Sequence, residues 1–168
     1  MTISNELSEV RYRSDGDTLL YTVPFYFLRD EDLLIQVIKQ DYQIDTLILN
    51  RDYTVTGANN LNGGQVLLKK KYAYTDQINI LRNLQFTQEV SYQENGPFPA
   101  KLHEQVIDKL TMMAQQAKDV FIRALSQPLS GMHYDAKNRN IQNLAEGVKD
   151  NDAVTLKQVR ELIEKAHL

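Results

Sequence analysis

One stretch of this chain constrains the fold more than any other. It begins at a break, NGPFPA at residues 95–100, where Gly96, Pro97 and Pro99 stop a strand and Pro99 suits the entrance of a helix. From Ala100 there is neither Gly nor Pro until Pro128, which leaves about 26 residues of good helix formers, or about 39 Å of helix. Val106, Leu110, Met113, Ala117, Val120 and Ala124 recur at alternating intervals of four and three, the spacing of a heptad seam. A second apolar stripe, Ile107, Ala114, Phe121 and Leu125, runs beside it. Together they make a face too wide for a simple surface helix. The sequence therefore predicts a helix within 96–128 that serves two contacts, one inside its own subunit and one with copies of itself.

Residues 1–95 predict strands. Val10 and Tyr12 alternate with Arg11 and Arg13, and Leu19, Tyr21 and Val23 follow across Ser14-Asp15-Gly16-Asp17, a pattern that predicts a hairpin. Pro24 ends the second strand or marks an edge, and Phe25, Phe27 and Leu28 are expected to anchor a crossing of the core. Leu33–Ile38 reads as a central strand, 46–49 as the next, and Asn50-Arg51-Asp52 as a tight turn into Tyr53–Val55. After the loop 57–64, strands are expected at 65–68 and 77–81. Strands first and one long helix after them argue for an α+β fold, with a small antiparallel β-sandwich or barrel, rather than a parallel α/β sheet.

Composition excludes several roles. The formal net charge is −3, which disfavours general nucleic-acid binding. There is no Cys, hence no disulfide framework and no thiolate metal site. No apolar run is long enough to span a bilayer, and the first residues, MTISNELSEVRYR, lack a secretory pattern.

Beyond Pro128 the composition shifts. Residues 129–150 read as an extended polar linker, in which Ile141, Leu144 and Val148 can dock on a neighbour but cannot build a core. In 151–168, Leu156, Val159, Ile163 and Ala166 repeat the heptad spacing and predict the start of a coiled coil. Asp150 and Asp152 are expected to cap that helix. A helix this short is marginal alone in water, so partner helices and a chain continuing past Leu168 are expected.

Chemistry-bearing motifs are sparse. His103-Glu104 lacks the second His of a metalloprotease helix, since Ile107 occupies its place. His133 and His167 stand alone. Asp30-Glu31-Asp32 lacks calcium-loop spacing and reads as an exposed acidic turn. Lys69-Lys70-Lys71 reads as an edge guard or docking point, and Gly63-Gly64 as a turn rather than a phosphate loop. Tyr72 and Tyr74 fit either surface contact or sheet packing. No nucleophile-and-base motif is present, and no catalytic residue, cofactor or metal is expected.

Four stretches in order carry a family resemblance: YTVPFYFLRDEDLLIQV at 21–37, LILNRDYTVTG at 47–57, SYQENGPFPAKLHEQVIDKLTMMAQQ at 91–116, and YDAKNRNIQNLAEGVKDNDAVTLKQV at 134–159. The chain resembles the virion-anchoring N-terminal domain of tail fibres and tailspikes of short-tailed phages. That resemblance implies a non-catalytic structural part of the virion tail, assembled in the host cytoplasm. It also implies a homotrimer docked on tail tube, adaptor or nozzle proteins, with a distal fibre or tailspike region beyond. The expected trimer interface is Val106, Leu110, Met113, Ala117, Val120, Ala124, Leu156, Val159 and Ile163. Two alternatives are a short adaptor that carries a separate fibre, and the N-terminal part of a polysaccharide-degrading tailspike.

Overall fold

A computed structural model describes residues 3, 6–92, 96 and 98–166. Asn95 and Pro97 of the predicted break, and His167, lie outside the described residues. The chain forms two compact units, 1–123 and 124–168, so the β region and the long helix share one unit.

Among the described residues, seven strands make two antiparallel sheets. They are β1 (Glu9–Arg13), β2 (Leu20–Val23), β3 (Leu33–Ile38), β4 (Ile44–Thr46), β5 (Tyr53–Thr56), β6 (Gly64–Leu68) and β7 (Gln77–Arg82). One sheet has the order β1-β7-β3-β4, the other β2-β6-β5. Inward residues of both share one core: Ile35, Val37, Ile78 and Ile80 from the first sheet meet Val23, Tyr53, Val55, Val66 and Leu68 from the second. The period of two on each strand sets this, as in β3, where Leu33, Ile35 and Val37 are buried and the residues between them are half-exposed. The layered antiparallel arrangement agrees with the α+β expectation.

Two local expectations are corrected. β1 and β2 form no hairpin, because β1 pairs with β7 while β2 pairs with β6. Ser14 ties the connection to the 72–76 loop instead, with its N–H on the Asp76 carbonyl and its hydroxyl on the Tyr72 carbonyl. Asp15 then closes the bend by accepting from the Asp17 and Thr18 amides, so the chain switches sheets. Next, β4 lies at Ile44–Thr46, ahead of the predicted 46–49, because Leu47 turns inward to the core while the Asp52 carboxylate captures the Ile48 amide. Lys69–Lys71 follow the end of β6, just past the strand expected at 65–68, and Lys71 pairs with Asp17 at 2.7 Å.

The segment after Pro24 serves two cores. Phe25 and Phe27 enter the sheet core, whereas Tyr26 and Leu28 join a second apolar cluster with Leu84 and Met112. The long helix, α1 (Ala100–Arg123), sits on that second cluster. It stops short of the end of the predicted 96–128 segment, leaving Ala124 and Leu125 beyond its last turn.

The second unit is less regular. Ser126 and Asp135 form an isolated antiparallel bridge, and positive φ angles at Lys137 (52°), Asn138 (58°) and Asn143 (58°) bend the segment, so it is a series of turns rather than an extended linker. The last helix, α2 (Leu156–Ala166), is capped by neither Asp150 nor Asp152. Thr155 caps it in a reciprocal pair, with Gln158 N–H on the Thr155 hydroxyl and Thr155 N–H on the Gln158 side-chain oxygen at 3.0 Å. The Asp152 carboxylate accepts from the Val148 and Lys149 amides, which holds its pKa below the usual Asp value.

The turn before β6 supplies a stability test. Gly63 has φ +80° beside β2, and a Cβ there would fall 1.8 Å from the Val23 carbonyl oxygen. Gly16 has a similar φ of +87° but faces open space. Gly63→Ala is expected to lower unfolding free energy by more than about 3 kcal/mol, and Gly16→Ala by about 1 kcal/mol, as read from urea midpoints at unchanged slope. Equal losses would mean that β2 does not press against Gly63.

Candidate functional site

Helix α1 presents two chemically different faces. Pro99 enters it without sacrificing an amide bond, and its carbonyl accepts the His103 N–H at 3.1 Å. At about 100° per residue, Asp108, Met112, Gln115 and Asp119 fall on one side and Ile107, Leu110, Ala114, Ala117 and Phe121 on the opposite side. The first side packs on the β region, and it is mainly polar.

Met112 is fully buried against Tyr26 and Leu84, and it is the apolar centre of this contact. Around it the bonds are polar. The Arg82 guanidinium donates to the Tyr26 carbonyl at 2.9 Å and to the Gln115 side-chain oxygen at 2.5 Å. Gln116 accepts the Leu84 N–H at 2.8 Å and donates back to the Leu84 carbonyl at 3.3 Å, as a neighbouring strand would. Ser8 donates to Asp119, and Lys109 donates to the Thr87 carbonyl at 2.7 Å. At the rim, Lys118 pairs with Glu6, Arg123 with Glu9, and Lys109 with Glu89. Such exposed pairs contribute little each, and their value is orientation.

Arg82 is the focus of this interface. It continues the inward row Ile78, Ile80 of β7, is 3% exposed, and lies 5.8 Å from the centre of the Phe25 ring. Burial pushes its pKa down to about 10, and the Asp119 charge opposes that shift. It is still a cation at neutral pH. Its Nε finds no hydrogen-bond partner among the described residues.

The opposite face of α1 is apolar and open. Ile107 is 49%, Leu110 58%, Val120 55% and Phe121 74% exposed. Of the seam residues expected from sequence, Leu110 and Val120 lie exposed, while Val106, Met113 and Ala117 are half-buried on its flank. Met113 also touches the second apolar cluster. Ala124 is exposed beyond the helix end. The open stripe thus centres on Ile107, Leu110, Ala114 and Phe121, with the half-buried Ala117 at its edge. Val106, Leu110 and Met113 also line a groove of about 500 Å³, whose other wall is Leu28 and the segment 86–90.

In the second unit, Leu156 and Ile163 are exposed on α2, Val159 is half-buried, and no α2 residue is fully buried. The start of α2 is nonetheless well fixed. The Gln158 side chain makes two 3.0 Å bonds with the Gly147 backbone, and Lys157 reaches Glu146 at 2.8 Å.

The remaining candidates resolve into structural roles. Asp32 is not an exposed acidic residue: it is 2% exposed, ends a one-turn 3-10 helix, and accepts the Arg29 N–H at 2.9 Å. Burial raises its pKa against the pull of the Arg29 guanidinium. Tyr72 packs in the sheet core, where burial pushes its hydroxyl up to about 12, while Tyr74 is exposed beneath Arg13. His103 meets the Phe98 ring at a tilt of 51°, with ring centres 4.8 Å apart. No helix of the described residues is long and apolar enough to cross a membrane.

A chain built on a small antiparallel β-domain with an outward-facing apolar helix agrees with the class implied by its sequence, the tail proteins of phages. Comparison bears out that resemblance. Over 165 residues, or 98% of its length, the chain is 38% identical to the tail spike protein of Salmonella phage epsilon15. It is related to the N-terminal region of that phage tail spike, and it spans 15% of the tail spike's length. No protein-family model matches the chain.

Sequence reasoning missed Arg82, Asp108, Gln115 and Gln116. The signal was present, since Asp108, Met112, Gln115 and Asp119 share one helix face, but a polar stripe ordinarily reads as solvated. Asp108 is 5% exposed, and burial raises its pKa above the ordinary 3.8. The folded state therefore holds this proton more tightly than the unfolded chain does, so ionisation above pH 3.8 costs stability. Asp108→Asn is expected to stabilise the protein at pH 7, with the gain fading as pH falls toward 3.8 in paired urea titrations. A loss of stability at pH 7 would show that the carboxylate is favourably held.

Proposed function

We propose that this chain is a trimeric N-terminal anchor that attaches a tailspike or tail fibre to the phage tail, and that it carries no catalysis itself. The observation that carries the reading is the open apolar stripe on α1. Its positions alternate by three and four residues, and its opposite face is already engaged with the β region. A stripe of that spacing calls for identical helices. A second copy is the occupant because a heptad stripe is complementary to itself, and closed three-fold symmetry leaves no surface free to polymerise. Ile107, Leu110, Ala114, Ala117 and Phe121 would face the axis, with Val106, Met113 and Val120 beside them. Leu156, Val159 and Ile163 would continue the association in α2.

The likeness to a tail spike supports the placement in a virion tail. Tail tube, adaptor or nozzle proteins are the proposed binding partners, and a distal fibre or tailspike region is the proposed load. Joining three chains lets individually weak virion contacts act together through effective concentration. Substrate or receptor chemistry would belong to that distal region.

Light scattering of the purified chain is expected to give three times 19.4 kDa. Each large stripe side chain buried on assembly contributes about 1.5–3 kcal/mol per chain. Leu110→Asp should therefore dissociate the trimer while leaving the far-ultraviolet circular dichroism unchanged. A mutant that still scatters as a trimer would remove Leu110 from the interface.

A further inference from the structure

We infer that Arg82, Gln115 and Gln116 form a roll lock, which holds α1 with its apolar stripe outward before any second copy binds. The purpose of the lock rests on the proposed self-association, but its existence is a property of one protomer.

The argument begins with an inversion. Water favours burial of the more apolar side of a helix. On α1 the side against the β region holds Asp108, Gln115, Gln116 and Asp119 around Met112, and the side left in water holds Ile107, Leu110 and Phe121. Apolar burial alone would roll the helix by about half a turn and close the stripe onto Tyr26, Leu28 and Leu84. The polar contacts oppose that roll because each one is tied to a group that cannot leave.

Leu84 is 2% exposed, and its N–H and carbonyl are both met by the Gln116 amide. Rolling the helix would orphan both backbone groups in a buried place. Arg82 is equally committed. Its cation is buried at the end of β7, and Gln115 supplies one of its acceptors. An aliphatic face rolled onto Arg82 would leave a buried charge less satisfied. Two glutamines at successive positions fix the azimuth of a helix more tightly than one, since their side chains diverge by about 100°. Ser8 on Asp119 adds a further bond along the same face. These three are positioning residues: they set which surface the helix offers.

The chain contains no Cys, so single thiol reporters can be read without interference. Phe121→Cys and Ile107→Cys probe the outer face, and Met112→Cys the inner one. The labelling is done with a maleimide at concentrations dilute enough for light scattering to report monomer. The lock predicts that both outer thiols react at least 100-fold faster than the Met112→Cys thiol. It also predicts that this contrast falls below tenfold in an Arg82→Met, Gln116→Leu background.

A second readout needs no cysteine. The Leu84 amide should exchange with deuterium at least 100-fold more slowly in the unmodified chain than in Gln116→Leu. Equal labelling of inner and outer thiols in folded protein, or a Leu84 amide exchanging at the rate of an exposed one, overturns the lock. A chain that is monomeric at every concentration yet keeps the labelling contrast supports the lock and removes the self-association it was inferred to serve.

Discussion

The pairing of the Gln116 amide with the Leu84 backbone, beside the Gln115 contact to Arg82, is the constraint on which the rest of the first unit depends. β7 ends at Arg82, and the chain beyond it must satisfy buried backbone groups without another strand. A helix side chain does that work. This commits a polar face of α1 to the interior and leaves its apolar face largely exposed among the described residues of the first unit. The exposure of Leu110, Val120 and Phe121 is thus a consequence of how the sheet ends, not of a shortage of hydrophobic surface to bury.

The segment that follows Pro24 makes the two cores interdependent. Alternation along an extended stretch sends Phe25 and Phe27 into the sheet core and Tyr26 and Leu28 to the helix. Arg82 stands at the boundary, over the Phe25 ring and bonded to the Tyr26 carbonyl. A shift of the helix would therefore be felt at the sheet core through one residue of backbone. Close packing transmits such a shift rather than absorbing it.

This construction would suit the proposed anchor, which has to pass load from a lever to a base. The helix is tied to the β region along much of its length, by Lys109 near its first half and by Lys118, Asp119 and Arg123 toward its end. None of the rim pairs is strong alone. Spread along one face, they resist bending and sliding, and a rigid presented face would lose less entropy in the proposed self-association.

Much of this fold was legible in residue order. Period-two alternation placed most of the strands, Pro99 and the run free of Gly and Pro placed the long helix, and the spacing of Leu110 and its neighbours marked an apolar stripe. The resemblance carried by NGPFPA and its companion stretches led to the tail proteins of phages, and a tail spike relative bears it out. These features depend on neighbours close in sequence, where covalent geometry and side-chain period decide. Tertiary structure decided the rest. It placed β1 and β2 in different sheets, because pairing with β7 and β6 involves residues far apart in the chain. It also decided which face of α1 turns inward. Hydropathy favoured the apolar side, and the buried backbone groups of Leu84, which Gln116 completes, with the buried charge of Arg82 required the polar one. A buried hydrogen-bonding group has no signature in the sequence until the partner that completes it is brought alongside.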